Sequence, residues 1–160
     1  MQTTLPSSTL GRTGLNVTRL GFGCSLWEPN SPNWTPEQAQ TVWGAALDAG
    51  INLFDTAYDY LFSEEWIGWA LHSRYDEFYL ATKCGCTDTL PTSNSWNHLW
   101  TRDNLFENIE VSLRRLNRDS VDIIQLHNAT VKECEAGNLI QALRDIRDQG
   151  MARWIGASTT

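Results

Sequence analysis

An α/β fold built on a parallel sheet is predicted by three observations. From Val17 onward, short apolar runs alternate with segments of helical period. The apolar runs are continuous, as in strands buried on both faces. Each boundary carries helix-capping or turn residues. Two architectures satisfy this pattern, an open doubly wound sheet and part of a (β/α)8 barrel. The glycine-rich strand end Gly21-Phe22-Gly23 lacks the third glycine of a dinucleotide fingerprint, since Leu26 stands there, so a doubly wound dinucleotide fold is the weaker reading. Residues 1–160 read as a single domain.

Taken in order, Leu10 to Val17 (LGRTGLNV) sets a glycine-containing turn between strand-like pieces, a hairpin ahead of the first parallel strand. That strand is read over Val17–Gly23. A helix follows, with Thr35 as N-cap, Pro36 at N1 and Gln38 at N3, a capping box that satisfies free first-turn amides; Gly50 is its left-handed stop. The second strand is Ile51–Thr56, and the second helix starts at Ser63 with Glu64 and Glu65 against its dipole. The third strand is Phe78–Lys83. The third helix begins near Thr101 and puts Leu105, Ile109, Leu113 and Leu116 on one stripe. Val121–His127 is the fourth strand, about Asn138 to Gly150 the fourth helix, and Ala152–Ser158 the fifth strand. Five parallel strands and four helices thus follow the hairpin.

Composition excludes several function classes. Twelve Lys and Arg stand against 19 Asp and Glu, a net charge of -7 without a basic cluster, which argues against a nucleic-acid partner. No apolar run approaches the roughly 18 residues of a membrane span. Met1 to Ser8 has neither the charged nor the apolar region of a secretory signal, so a cytoplasmic location is expected, without disulfides among Cys24, Cys84, Cys86 and Cys134. Cys84-Gly85-Cys86 has no second Cys or His pair nearby, so these are read as structural thiols and no metal site is expected. His72 and His98 are read as surface or loop residues. Eight tryptophans are unusual for this length. Trp66 and Trp69 are expected in the core of a helix, whereas Trp27, Trp34, Trp96 and Trp100 fall in or beside loops, where large amphipathic rings line ligand sites or buried interfaces.

Polar residues interrupt the apolar runs at matching places: Asp55 in the second strand, Lys83 in the third, His127 in the fourth and Ser158 in the fifth. In a parallel barrel these ends share one mouth, where barrel enzymes keep their chemistry. Tyr60 follows Asp55 by five residues, on the loop above that mouth.

The stretches Gly11-Arg12-Thr13-Gly14-Leu15, Phe54-Asp55-Thr56-Ala57-Tyr58-Asp59-Tyr60, Ser63-Glu64-Glu65-Trp66-Ile67-Gly68, Ala81-Thr82-Lys83, Ser112-Leu113-Arg114-Arg115-Leu116 and Gln125-Leu126-His127-Asn128 closely resemble the aldo-keto reductases in order and spacing. The resemblance spans nearly the whole chain. It implies the first part of a (β/α)8 barrel and reduction of aldehydes or ketones, sugar aldehydes included, to alcohols, or the reverse. Asp55, Tyr60, Lys83 and His127 match the family's catalytic tetrad. Ser158 matches the serine that holds the nicotinamide carboxamide of NADP(H) or NAD(H), with Thr159, Gly23 and Asp55 beside it, and Trp27 and Asn128 fall on the substrate side. Hydride transfer to a carbonyl needs a proton donor for the developing alkoxide. Lys83, held by Asp55, is expected to favour the phenolate of Tyr60 and so make it the better acid, while His127 polarises the carbonyl.

The chain departs from the family at Leu61 and Phe62, where a glycine-containing turn is common, and at Thr159, where asparagine is common. A complete barrel takes roughly 250 residues, so the cofactor is expected to be weakly held without a C-terminal half. Three readings stay open: the N-terminal part of a reductase, a half-barrel that associates through its open edges, as a homodimer in the simplest case, and a non-catalytic binding or degenerate protein.

Overall fold

The computed structural model describes residues 5–25, 34–87, 97–136 and 138–159. Trp27 and Trp96 lie outside the described residues. A hairpin opens the chain: β1 (Ser7–Thr9) and β2 (Asn16–Thr18) pair antiparallel across a turn in which Gly11 and Gly14 adopt positive φ. Then come β3 (Phe22–Gly23), α1 (Pro36–Asp48), β4 (Leu53–Asp55), α2 (Ser63–Ala70), a 3-10 helix (His72–Glu77), β5 (Tyr79–Cys84), α3 (Arg102–Leu116), β6 (Val121–His127), α4 (Val131–Ala136), α5 (Leu139–Asp148) and β7 (Ala152–Ser158).

The strand expected over Val17–Gly23 is two strands. The Thr18 amide donates to Asn52 Oδ1 at 2.7 Å and its hydroxyl donates to the Leu20 carbonyl at 2.8 Å. These bonds turn the chain at Arg19 and Leu20, so β2 completes the hairpin and only Phe22–Gly23 joins the parallel sheet. The short helix α4 was not expected; six residues carry too little periodicity to read. Helix α2 starts at Ser63, as read, and the Ser63 hydroxyl donates to the Cys24 carbonyl at 2.7 Å and lies 2.8 Å from Thr56 Oγ1, tying the helix to the strand ends. The capping box at Thr35 and Gln38 forms as read, and Thr101 caps α3.

The sheet order is β3-β4-β5-β6-β7, with every neighbouring pair parallel. Each strand lies beside its predecessor and the order never reverses. A doubly wound sheet needs such a reversal, so the progression is that of a barrel.

Alternation along the strands separates two faces. Phe54, Leu80, Ile124 and Leu126 are fully buried in the core that also holds Trp43 of α1, Ile67 of α2, Leu105 and Ile109 of α3, and Leu143 and Ile146 of α5. The other face carries Asp55, Lys83, Gln125, His127 and Ser158. Register joins them, with Asp55 opposite Gly23, Lys83 opposite Gln125 and His127 opposite Ser158. Trp69, expected in the core, is half-exposed on α2, whereas Trp66 is partly buried. Among the described residues no helix is long and apolar enough to cross a membrane.

Candidate active site

Lys83 is the buried centre of the mouth. Its side chain is 5% exposed, and its ammonium donates to Asp55 Oδ2 at 2.5 Å and to the Thr56 carbonyl at 2.8 Å. A buried ammonium needs such partners, because an unpaired charge away from water is costly. The same nitrogen lies 4.9 Å from the centroid of the Tyr60 ring. Asp55 is steadied from the other side by Gln125 Nε2, at 3.3 Å from Oδ1. Gln125 was passed over in the sequence, though a glutamine inside the apolar run of β6 is itself a signal.

Tyr60 sits in the turn between β4 and α2. Its amide donates to the Ala57 carbonyl at 3.1 Å and its carbonyl accepts from the Ser63 amide at 2.9 Å. The next residue, Leu61, stands at φ 49, a left-handed conformation that suits glycine. Leu61 bears the strain of that conformation without a glycine's freedom.

His127, 6% exposed, closes the group. Its ring meets Tyr60 edge-on with centroids 5.7 Å apart, and its Nδ1 lies 3.1 Å from Asp59 Oδ1 and 3.2 Å from Cys86 Sγ. The structure thus brings Asp55, Tyr60, Lys83 and His127 together. Burial pushes the Tyr60 phenol above its ordinary value, and Lys83 only partly draws it back. This corrects the expectation of a phenol favoured toward ionisation: desolvation outweighs the lysine.

Asn128 follows His127 at φ 60, and its amide donates to the Ser158 carbonyl at 2.8 Å, so the two residues share the rim of β6 and β7. Thr159 is exposed beyond Ser158.

The aldo/keto reductase family model matches residues 19–160. The chain belongs to the aldo/keto reductase family. It is 30% identical over 152 residues to an uncharacterized oxidoreductase of Bacillus subtilis, YqkF, covering 94% of this chain and 47% of that protein. It is 32% identical over 155 residues to the L-galactose dehydrogenase of Arabidopsis thaliana, covering 92% and 46%. Among solved structures, the holo form of an aldo-keto reductase from Bacillus halodurans matches with a TM-score of 0.84 at 31% identity, over 97% of this chain and 50% of that one. The chain therefore spans about half the length of the relatives it matches, and its fold is the corresponding half of an aldo-keto reductase barrel.

Aldo-keto reductases of this kind work with a nicotinamide cofactor, and the residues present fit its reactive end. A carboxamide needs both hydrogen-bond donors and acceptors, and a serine hydroxyl such as that of Ser158, at the end of β7, can serve as either. At the opposite rim Gly23 is exposed, and a Cβ there would meet nothing within 4 Å, leaving open space above its register partner Asp55.

Proposed function

We propose that this chain carries the tetrad of an NADP(H)- or NAD(H)-dependent oxidoreductase that reduces aldehydes or ketones to alcohols, or runs the reverse oxidation. The observation that carries the reading is the Lys83 ammonium, buried between Asp55 and the Thr56 carbonyl and 4.9 Å from the Tyr60 ring. Such a lysine, itself buried, polarises a phenol at a mouth where Asp55 and Tyr60 are still reached by solvent, an arrangement with a chemical use.

Ser158, Thr159, Gly23 and Asp55 would hold the nicotinamide end, and Asn128 and Trp27 would face the substrate. When bound, the nicotinamide supplies the hydride for the carbonyl carbon. His127 then donates a hydrogen bond to the carbonyl oxygen and orients it. Tyr60 gives its proton to that oxygen as negative charge builds. Its raised pKa keeps the phenol protonated at neutral pH, and an alkoxide is a far stronger base than a phenolate, so the transfer still runs downhill. Lys83 stabilises the phenolate left behind, which recovers a proton from solvent.

Substrates are small carbonyl compounds, sugar aldehydes included, a class supported by the sugar dehydrogenase among the relatives. Buried free thiols support a cytoplasmic location. The test is NADPH-dependent turnover of an aldehyde panel by a complete barrel carrying this segment, beside its Tyr60→Phe and Lys83→Met variants. Loss in both supports the reading, and full activity in either overturns it.

A further inference from the structure

Beside the tetrad, four side chains with metal-ligating atoms meet in one place. Asp59, Cys86, His98 and His127 each offer one such atom, and all four atoms lie within 4.8 Å of one another. Cys86 and His98 stand opposite each other in an antiparallel bridge, extended by the Thr87 amide donating to the Asn97 carbonyl at 3.1 Å and the Leu99 amide to the Gly85 carbonyl at 2.9 Å. This return of the chain after β5 brings together two residues that sequence spacing gave no reason to combine.

Neighbouring groups hold the pair firmly. Asn108 Oδ1 accepts from the Gly85 and Cys86 amides at 2.8 and 2.9 Å, and Asn104 Nδ2 donates to the Cys86 and Leu99 carbonyls. The Trp100 ring fills the space that a Cβ on Gly85 would take, and it stacks on the His98 ring with centroids 5.0 Å apart and planes 4° apart. Asp59 supplies the second observation. Its side chain is 10% exposed, and its Oδ1 is buried without a hydrogen bond although it points at the cluster, 3.1 Å from His127 Nδ1. A buried carboxylate oxygen so placed needs positive charge beside it, which a metal ion at the cluster or a protonated His127 supplies.

We propose that Asp59, Cys86, His98 and His127 form a binding site for a divalent cation of the zinc type. One thiolate, two imidazoles and one carboxylate make a four-donor set suited to tetrahedral zinc. Bonds of about 2.0–2.3 Å set neighbouring donors about 3.5 Å apart, so closure takes a contraction of about an ångström. On binding, the Cys86 S–H bond breaks, its proton goes to solvent, and the sulfur bonds the metal with no change of oxidation state. Nδ1 is the His127 nitrogen that faces Cys86 and Asp59, so coordination there leaves the ring proton on Nε2. That consequence for catalysis rests on the proposed reductase mechanism, whereas cation binding does not.

The experiment is a titration of the purified, reduced and chelator-stripped protein with cobalt(II), following the near-ultraviolet thiolate-to-cobalt charge-transfer band, then displacement by zinc(II). The expected result is one equivalent of cobalt with a thiolate band that zinc abolishes. Cys86→Ser removes the band, and His98→Gln weakens cobalt binding about tenfold or more, with the circular dichroism of both variants matching the parent. Absence of a thiolate band in the parent, or a band that survives Cys86→Ser, overturns the site. Reductase turnover is not read, so this failure is distinct from failure of the proposed function.

Discussion

At Tyr60 two influences oppose each other: desolvation raises the phenol, and the Lys83 ammonium 4.9 Å from its ring draws it back. Because the net shift is upward, the proton-donating form persists across neutral pH. The rate of carbonyl reduction should therefore stay level to about pH 10, the ordinary phenol value, and fall only above it. Removing the charge in Lys83→Met should move that fall to still higher pH while lowering kcat. A pH profile of kcat/KM checks this, and a fall centred below pH 8 contradicts it. Cys24 has a parallel consequence for stability. Burial pushes its thiol well up, foremost among the causes. The unfolded chain releases that proton near pH 8.5 while the folded one keeps it, so stability present below that pH is lost as pH rises, by up to about 1.4 kcal/mol per unit. Denaturant titrations under reducing conditions from pH 7 to 10 should show the loss, and Cys24→Ala should lessen it without removing it, because burial pushes the Cys84 and Cys86 thiols up as well. Asp55, Lys83 and His127 were legible as polar side chains at the ends of apolar runs, whereas the place of Tyr60 beside them and the grouping of all four were implied by the family resemblance. His98 was not legible: its place depends on its bridge to Cys86, which no local spacing encodes.

Helices α2 and α3 approach more closely than ordinary side chains permit. A Cβ on Gly68 would lie 2.3 Å from the Arg115 carbonyl oxygen and 2.8 Å from the Leu116 carbonyl carbon, both backbone. The approach lets Glu64, 1% exposed in its side chain, meet Thr82 on β5 at 2.6 Å and Arg115 on α3 at 3.3 Å. Arg115 also donates to the Tyr58 carbonyl at 2.9 Å, just before Tyr60. Backbone cannot yield as a flexible side-chain tip does, so Gly68→Ala should cost about 1–3 kcal/mol or more. Thermal melts check this, and an unchanged Tm refutes the close contact. Element bounds were legible where apolar runs ended abruptly, as in β6 and β7, both observed over the residues read. They were not legible at β2 and β3, where the Thr18–Asn52 bonds between distant residues break an apolar run, nor at the Leu61 turn, whose strain appears only in the backbone angle.

Across the whole molecule, the sheet ends in β3 on one side and β7 on the other, each paired on one side only among the described residues. Unpaired edges are templates for further pairing, and each 1,000 Å² of apolar surface covered contributes roughly 25 kcal/mol before entropy and desolvation are subtracted. The 160-residue chain expressed alone should therefore self-associate. Light scattering coupled to size exclusion checks this, and a cooperatively melting monomer of 18.1 kDa contradicts it. Asp55, Tyr60, Lys83 and His127 converge at one mouth, and the proposed carbonyl reduction depends on that convergence. The most direct measurement is Tyr60→Phe in a complete barrel carrying this segment, with steady-state aldehyde reduction and NADPH affinity read on the same preparation. The account predicts a fall in kcat of about 10²-fold or more with cofactor affinity unchanged, since the phenol donates the proton without gripping the cofactor. Turnover within a few-fold of the parent would contradict it.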